Sequence, residues 1–318
     1  MIIKTKINNT LTDVSEMVSS ITWAGSSTEI ARSLNITWLY PLHDYYIPKI
    51  YPTLGQDFYF YDDKGNEVFR GKVYQNERTN TQGTISITAY DDGIRLAKSK
   101  GTFNFKNMTA ENITQKAAAE IGISCNSLAS TKINQKMLCE GKGLYEIITE
   151  AYKGAADQNG KSYKVLMMEG KLNVIEVGAE VLPYVLRDDK NITEFSFTED
   201  AQNIINKIKI YDGNAKYLDV VSNQQSMNLF GIIQDNYTKE EDKQARAVAT
   251  SNLKQVERTV SVTVIGNISL ISGYAVKLID TSTNIAGNFI IQSDSHEWSN
   301  GQYFTRLDLT YKGGATVG

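Results

Sequence analysis

Phe58-Tyr59-Phe60-Tyr61, then Asp62-Asp63-Lys64-Gly65-Asn66, then Val68-Phe69-Arg70-Gly71-Lys72-Val73-Tyr74, is the stretch that sets the fold. Two aromatic and β-branched runs flank a cluster whose residues adopt positive φ cheaply, which is the pattern of an antiparallel hairpin. Thr84-Ile85-Ser86-Ile87-Thr88-Ala89-Tyr90 supplies the next strand, and the period of two that marks half-buried strands extends back to Ser20 and on to Asp91. Met1-Ile2-Ile3-Lys4-Thr5-Lys6-Ile7 also alternates, lacks the apolar core of a signal peptide, and reads as a strand. Residues 1–102 are therefore expected to form a first antiparallel barrel or sandwich.

The character changes near Phe103. Thr109 can cap a helix running to Glu120 and stopped at Gly122, and Leu144 to Tyr152 carries one apolar stripe, Leu144, Ile147, Ile148 and Ala151. Tyr163-Lys164-Val165-Leu166-Met167-Met168 and Lys171-Leu172-Asn173-Val174-Ile175-Glu176-Val177 read as a hairpin turned at Glu169-Gly170. Residues 103–183 are thus a compact α/β insert. After Pro183 strands return, at Ile192–Phe197, Ile204–Tyr211 and through Val260–Thr310. An exposed, charged helix is expected near 239–258, burying only Ala245, Val248, Ala249, Leu253 and Val256. The fold class is mainly β with an α+β insert, residues 184–318 forming a second β domain.

The two ends repeat in outline. Arg70-Gly71-Lys72-Val73, Glu77, Gln82-Gly83 and Ile85–Tyr90 recur as Ala286-Gly287-Asn288-Phe289, Glu297, Asn300-Gly301 and Leu307–Tyr311, with glycine spacing differing by two residues.

Composition bounds the function. A formal net charge of -3 over 318 residues offers no basic footprint for nucleic acid or anionic lipid, and no apolar run approaches the length of a membrane span. Two cysteines, Cys125 and Cys139, are too few for a disulfide framework and are expected to be reduced, in a protein expected to be made in a cytosol.

Catalytic chemistry is sparse. His43 and His296 lack the spacing of a zinc helix, the cysteines lack C-x-x-C spacing, and neither a metal nor a cofactor is expected. The acidic pairs Asp62-Asp63, Asp91-Asp92 and Asp188-Asp189 adjoin turn formers and are expected in solvated turns. Gly141-Lys142-Gly143 lacks the Walker spacing, and Trp23, Trp38 and Trp298 sit in strand contexts where packing is the expected role. No catalytic, cofactor-binding or metal residue is nominated.

Three stretches carry a family resemblance. They are Thr109–Ile123; Gly143–Tyr152 leading to Tyr163-Lys164-Val165 and Gly170–Ile175; and a C-terminal series, Thr263–Asn267, Ile271–Leu278, Gly287–Ile291 and His296-Glu297-Trp298. Their order resembles the baseplate hub proteins of contractile phage tails and phage-tail-like bacteriocins, the family of the PBSX-type prophage hub and the late-control D proteins. That resemblance implies two tube-type barrels flanking the insert and a homotrimer that presents six similar barrels to the six-fold tail tube and three-fold symmetry to the spike. It also implies the tail tube protein and other baseplate subunits as partners, in a virion or phage-tail-like particle in bacteria, and no enzymatic activity. One departure from the family pattern is that no fused spike or lysozyme segment follows the last expected barrel, so the spike is expected to be a separate protein. The rival readings are a tail-associated cell-wall (peptidoglycan) hydrolase using acidic pairs, and a carbohydrate-binding tail protein using Tyr45, Tyr46 and Tyr51.

Overall fold

The computed structural model describes residues 2–40, 46, 50–78, 83–240 and 244–312. The N-terminal strands are β1 (Ile2–Ile7), β2 (Thr10–Asp13), β3 (Val18–Ser26), β4 (Ser33–Leu39), β5 (Asp57–Tyr61), β6 (Glu67–Arg78) and β7 (Thr84–Asp91). The decisive hairpin is β5 against β6, and the Asp62 carboxylate closes its turn by accepting from Lys64 N at 2.9 Å and Asn66 N at 2.8 Å. Alternation puts Phe58, Phe60, Phe69, Val73, Ile85 and Ile87 into one core with Trp23 and Trp38.

The middle segment runs α1 (Gly93–Lys98), β8 (Lys100–Thr109), α2 (Ala110–Ala119), β9 (Cys125–Leu128), β10 (Asn134–Gly143), α3 (Leu144–Asn159), β11 (Tyr163–Met168) and β12 (Lys171–Glu176). Thr109 occupies the N-cap position of α2, but its side chain makes no capping bond. The stripe of α3 continues past Tyr152 to Ala155, so the helix runs longer than its first apolar turn suggests and ends at Gly160 with φ of 70°. Both helices bury these faces in a separate core with Val165, Leu172 and Val174.

The remaining elements are β13 (Val181–Arg187), β14 (Ile192–Asp200), β15 (Lys207–Tyr211), β16 (Tyr217–Ser222), α4 (Gln224–Phe230), β17 (Gln234–Thr238), α5 (Ala245–Ser251), β18 (Glu257–Ile265), β19 (Ala275–Asp280), β20 (Ile285–Ser299) and β21 (Gln302–Tyr311). Contacts divide the chain into two compact units, Met1–Phe195 with Ser261–Gly318, and Ser196–Val260. The division expected at 102/103 falls inside β8, and that at 183/184 inside β13. No described helix is long and apolar enough to cross a membrane.

In the smaller unit, β15 pairs β16 antiparallel and β17 parallel, and α5 buries Ala249 against Ile208, Ile210 and Val221. Of the helix expected over 239–258, residues 241–243 lie outside the described residues, and among the described ones the helix spans Ala245–Ser251. Lys239 N instead bonds Tyr211 O at 2.8 Å, prolonging the strand, and the Thr250 and Ser251 hydroxyls bond backbone carbonyls of the last turn, which disfavours continuation.

Among the described residues, thirteen strands share one sheet in which a five-strand order occurs twice: β3-β4-β7-β6-β5 and β14-β18-β21-β20-β19. The likeness extends to irregularities. A one-residue bulge interrupts β6 after Val73 where it pairs β7, and another interrupts β20 after Ile291 where it pairs β21. Thr88 Oγ1 donates to Asn35 Oδ1 at 2.9 Å across β7 and β4; Ser261 Oγ donates to Asp308 Oδ1 at 2.6 Å across β18 and β21, in the register that equates Asn35 with Ser261 and Thr88 with Asp308. The bulges equate Val73 with Ile291, so Gly71 corresponds to Phe289 rather than to Gly287, a two-residue correction to the sequence alignment. Outside the five strands the likeness ends: β1 adds antiparallel to β5, whereas β13 adds parallel to β19.

Candidate functional site

The most concentrated polar chemistry lies where three parts of the larger unit meet. Arg32 precedes β4, Asp294 and His296 stand on β20, Ser272 lies between β18 and β19, and Lys164 comes from β11. Arg32 and Asp294 form an ion pair whose side chains are 6% and 0% exposed; Nη1 donates to Oδ1 at 3.1 Å and Nη2 to Oδ2. The guanidinium also stacks 3.8 Å above the Trp23 ring. Asp294 Oδ1 accepts from Ser272 N at 2.7 Å, and His296 Nε2 lies 3.3 Å from Oδ2. Burial alone would raise the Asp294 carboxyl, but Arg32 and the neighbouring imidazole outweigh it and hold the group well below the usual carboxylate range.

The surrounding groups complete the junction. His296 Nδ1 meets Tyr303 Oη at 2.8 Å and Thr305 Oγ1 at 3.2 Å, and burial pushes the imidazole down so that it stays neutral. Lys164 Nζ donates to Ser272 O at 3.1 Å and to its hydroxyl; desolvation pushes this amine down to about 7. Asp91 is 5% exposed, accepting from Arg32 N at 3.1 Å and Gly93 N at 2.9 Å, and burial pushes it up to about 7. The expectation of solvated acids is corrected here: Asp91 is an internal acceptor that ties the end of β7 to the start of β4, because two backbone N–H groups need a partner there.

This junction is sealed against solvent and joins β3, β4 and β20 to the insert, so its chemistry is that of a clamp. Sequence reading missed Arg32, Lys164 and Asp294. Alternation did not mark Asp294: counted by twos from Ile291 it falls outward, and the bulge after Ile291 is what turns it inward beside His296.

The other sequence candidates do not converge. His43 and Tyr45 lie outside the described residues. Tyr46 is 98% exposed, while Tyr51 is covered by Arg78 at 3.5 Å and meets Tyr40 edge-on, so Tyr46 and Tyr51 build no stacking platform. Asp62 is consumed by its turn, and Asp188 accepts from Thr281 N at 2.8 Å. Lys142 pairs with Glu150 and Glu146, and both cysteines are free. Trp23 and Trp38 are core residues, and Trp298 stacks on Tyr303 with centroids 4.0 Å apart. In the smaller unit, α4 buries nothing, and Leu229, Phe230, Ile232 and Ile233 form an exposed apolar tip.

A model of YQBQ-like proteins matches residues 21–310, which takes in the strands of both repeats and the insert between them. The chain belongs to the YQBQ-like family. Two curated relatives of this YQBQ-like chain come from Bacillus subtilis (strain 168). The uncharacterized protein YqbQ is 25% identical over 78% of the chain and 79% of its own length, and the phage-like element PBSX protein XkdQ is 24% identical over the same shares. Among solved structures, the 43 kDa tail protein of prophage MuSo2 from Shewanella oneidensis superposes with a TM-score of 0.76 at 16% identity, covering 98% of each chain. That likeness establishes the YQBQ-like chain's fold as one found in a phage tail protein.

Proposed function

We propose that the chain is a non-enzymatic baseplate hub of a contractile phage tail or phage-tail-like particle. As a homotrimer it joins the six-fold tail tube to a three-fold spike. The observation that carries this reading is the doubled five-strand order with its matching bulges. Two similar modules per chain let three copies present six similar surfaces to a six-membered ring while keeping three-fold symmetry on the other side. The naming of one relative as a phage-like element protein and of a fold neighbour as a prophage tail protein supports the same placement.

In this reading the segments 1–102 and 184–318 supply the two tube-type barrels and 103–183 the insert. Synthesis is cytoplasmic, and the tail tube protein and further baseplate subunits are the other partners. The clamp at Arg32 and Asp294 holds the two modules of one chain in fixed relation, as a symmetry adaptor requires. Light scattering on the purified chain, alone and with its tube protein, tests the proposal: a trimer is expected, and a chain that stays monomeric in both samples overturns it. Clearing of bacterial cell walls in a zymogram by the pure protein would overturn the non-enzymatic part.

A further inference from the structure

β8 and β10 form a two-stranded ribbon that pairs with no other described strand and turns Phe103, Phe105, Met137 and Cys139 onto the core of α2 and α3. Alternation then fixes the other face: Lys100, Thr102, Asn104 and Lys106 from β8, and Lys136, Leu138 and Glu140 from β10, all exposed. Lys98 and Lys132 flank this face and are exposed as well. Among the described residues, none of these five lysines has an ion-pair or hydrogen-bond partner for its amine. In a chain whose formal net charge is -3, the face carries three lysines against one glutamate. Nearby acids are engaged elsewhere: Glu111 accepts from Ser130 and Thr131, and Glu146 and Glu150 hold Lys142.

Two of the lysines are set against each other. Met137 faces Phe105 and Gln135 faces Met108, so Lys136 is opposed by Lys106 and Asn107 together, in a bulge where Asn107 takes a φ of 53°. Like charges directly across a strand pair cost stability. Carboxylates brought to this point by another molecule would remove that cost, so the ribbon is better satisfied with an anionic partner than without one.

We propose that the outer face of this ribbon docks an acidic segment of a partner protein, with carboxylates at Lys100, Lys106 and Lys136 and an apolar side chain against Leu138. The contact goes beyond the hub reading and does not depend on it. Other polyanions fit the face less well. It offers no arginine for bidentate contact with phosphate and no aromatic ring for a base, since Phe103 and Phe105 are turned inward, and Glu140 repels a phosphate chain. Leu138 stands 68% exposed opposite Asn104 at the centre of the face, where a polypeptide has apolar atoms to cover it.

Fluorescence anisotropy of a labelled glutamate-rich peptide with a central leucine, titrated with the purified full chain in about 0.15 M salt, tests the proposal. Saturable binding is expected, tighter at lower salt and at least tenfold weaker for Lys106→Gln with Lys136→Gln. Lys153→Gln, which removes an exposed α3 lysine already paired with Asp157, is expected to leave binding unchanged. The double variant is also expected to unfold at no lower a urea midpoint, because it removes the like-charge opposition. No binding, equal binding by the double variant, or a lower midpoint for it overturns the proposal, as does tighter binding of duplex DNA or of phosphatidylserine vesicles at the same salt. Light scattering on the chain reads the trimer independently, so failure of this contact and failure of the hub reading are told apart.

Discussion

Arg32 and Asp294 lie 262 residues apart in sequence and face each other as a buried ion pair that ties the loop before β4 to β20. Asp294→Ala would leave the guanidinium buried and uncompensated, with a loss of about 3–5 kcal/mol. Urea unfolding followed by tryptophan fluorescence checks this. The double variant Arg32→Met with Asp294→Leu, which removes both charges, is expected to recover most of the loss.

Lys164 gives a pH signature of known sign. Its folded pKa is lowered to about 7 from 10.5 by burial, so the unfolded chain binds the extra proton between those values. Stability therefore rises as pH goes from 7 toward 10.5, by at most about 1.4 kcal/mol per pH unit from this group, and below about 7, where both states hold the proton, this amine adds no further slope. Lys164→Met is expected to remove that slope and to raise stability most at pH 7 and below. Asp294, Arg32 and Ser272 surround the amine, so the comparison of denaturation midpoints from pH 6 to 10 uses Lys164→Met against the unmodified chain. Parallel profiles would show that the amine is not buried as described.

Local chemistry made much of this fold legible. The Asp62–Asn66 turn, Glu169-Gly170 with both residues at positive φ, and the apolar stripe of α3 each act within a few residues, and the strands and helix they predict are present. What escaped depends on distant partners. β8 and β10 pair across α2, and their alternating pattern gives no sign of each other. Asp91 resembles Asp62 in sequence, yet it is buried because Arg32 N and Gly93 N converge on it. The repeat was visible as a pattern but misaligned by two residues, since glycine spacing cannot register a bulge that only pairing reveals.

Gly71 tests that alignment. A Cβ there would meet the Tyr90 carbonyl oxygen and the Phe69 ring, although its counterpart in the second module is Phe289, fully buried. Overpacking at a backbone contact gives an expected cost of about 1–3 kcal/mol for Gly71→Ala. Phe289→Ala, a cavity in the equivalent place, is expected to cost about 3–5 kcal/mol. Chemical denaturation of the two single variants measures both, and a neutral Gly71→Ala would mean that the β6–β7 register differs from the one described.

The apolar tip of the smaller unit separates stability from assembly. α4 contributes no buried residue, and Leu229 and Ile232 are 72% and 62% exposed, so Leu229→Ser with Ile232→Ser removes no core contact. Surface changes of this kind move stability by no more than about 0.5 kcal/mol each. Clustered exposed apolar side chains on a folded unit mark a surface that another protein covers. The variant is therefore expected to unfold at an unchanged urea midpoint and to keep the oligomeric state of the unmodified chain, yet to enter assembled particles at least tenfold less often. Counting the chain in purified particles by quantitative mass spectrometry checks this, and normal incorporation would show that the tip is not an assembly contact.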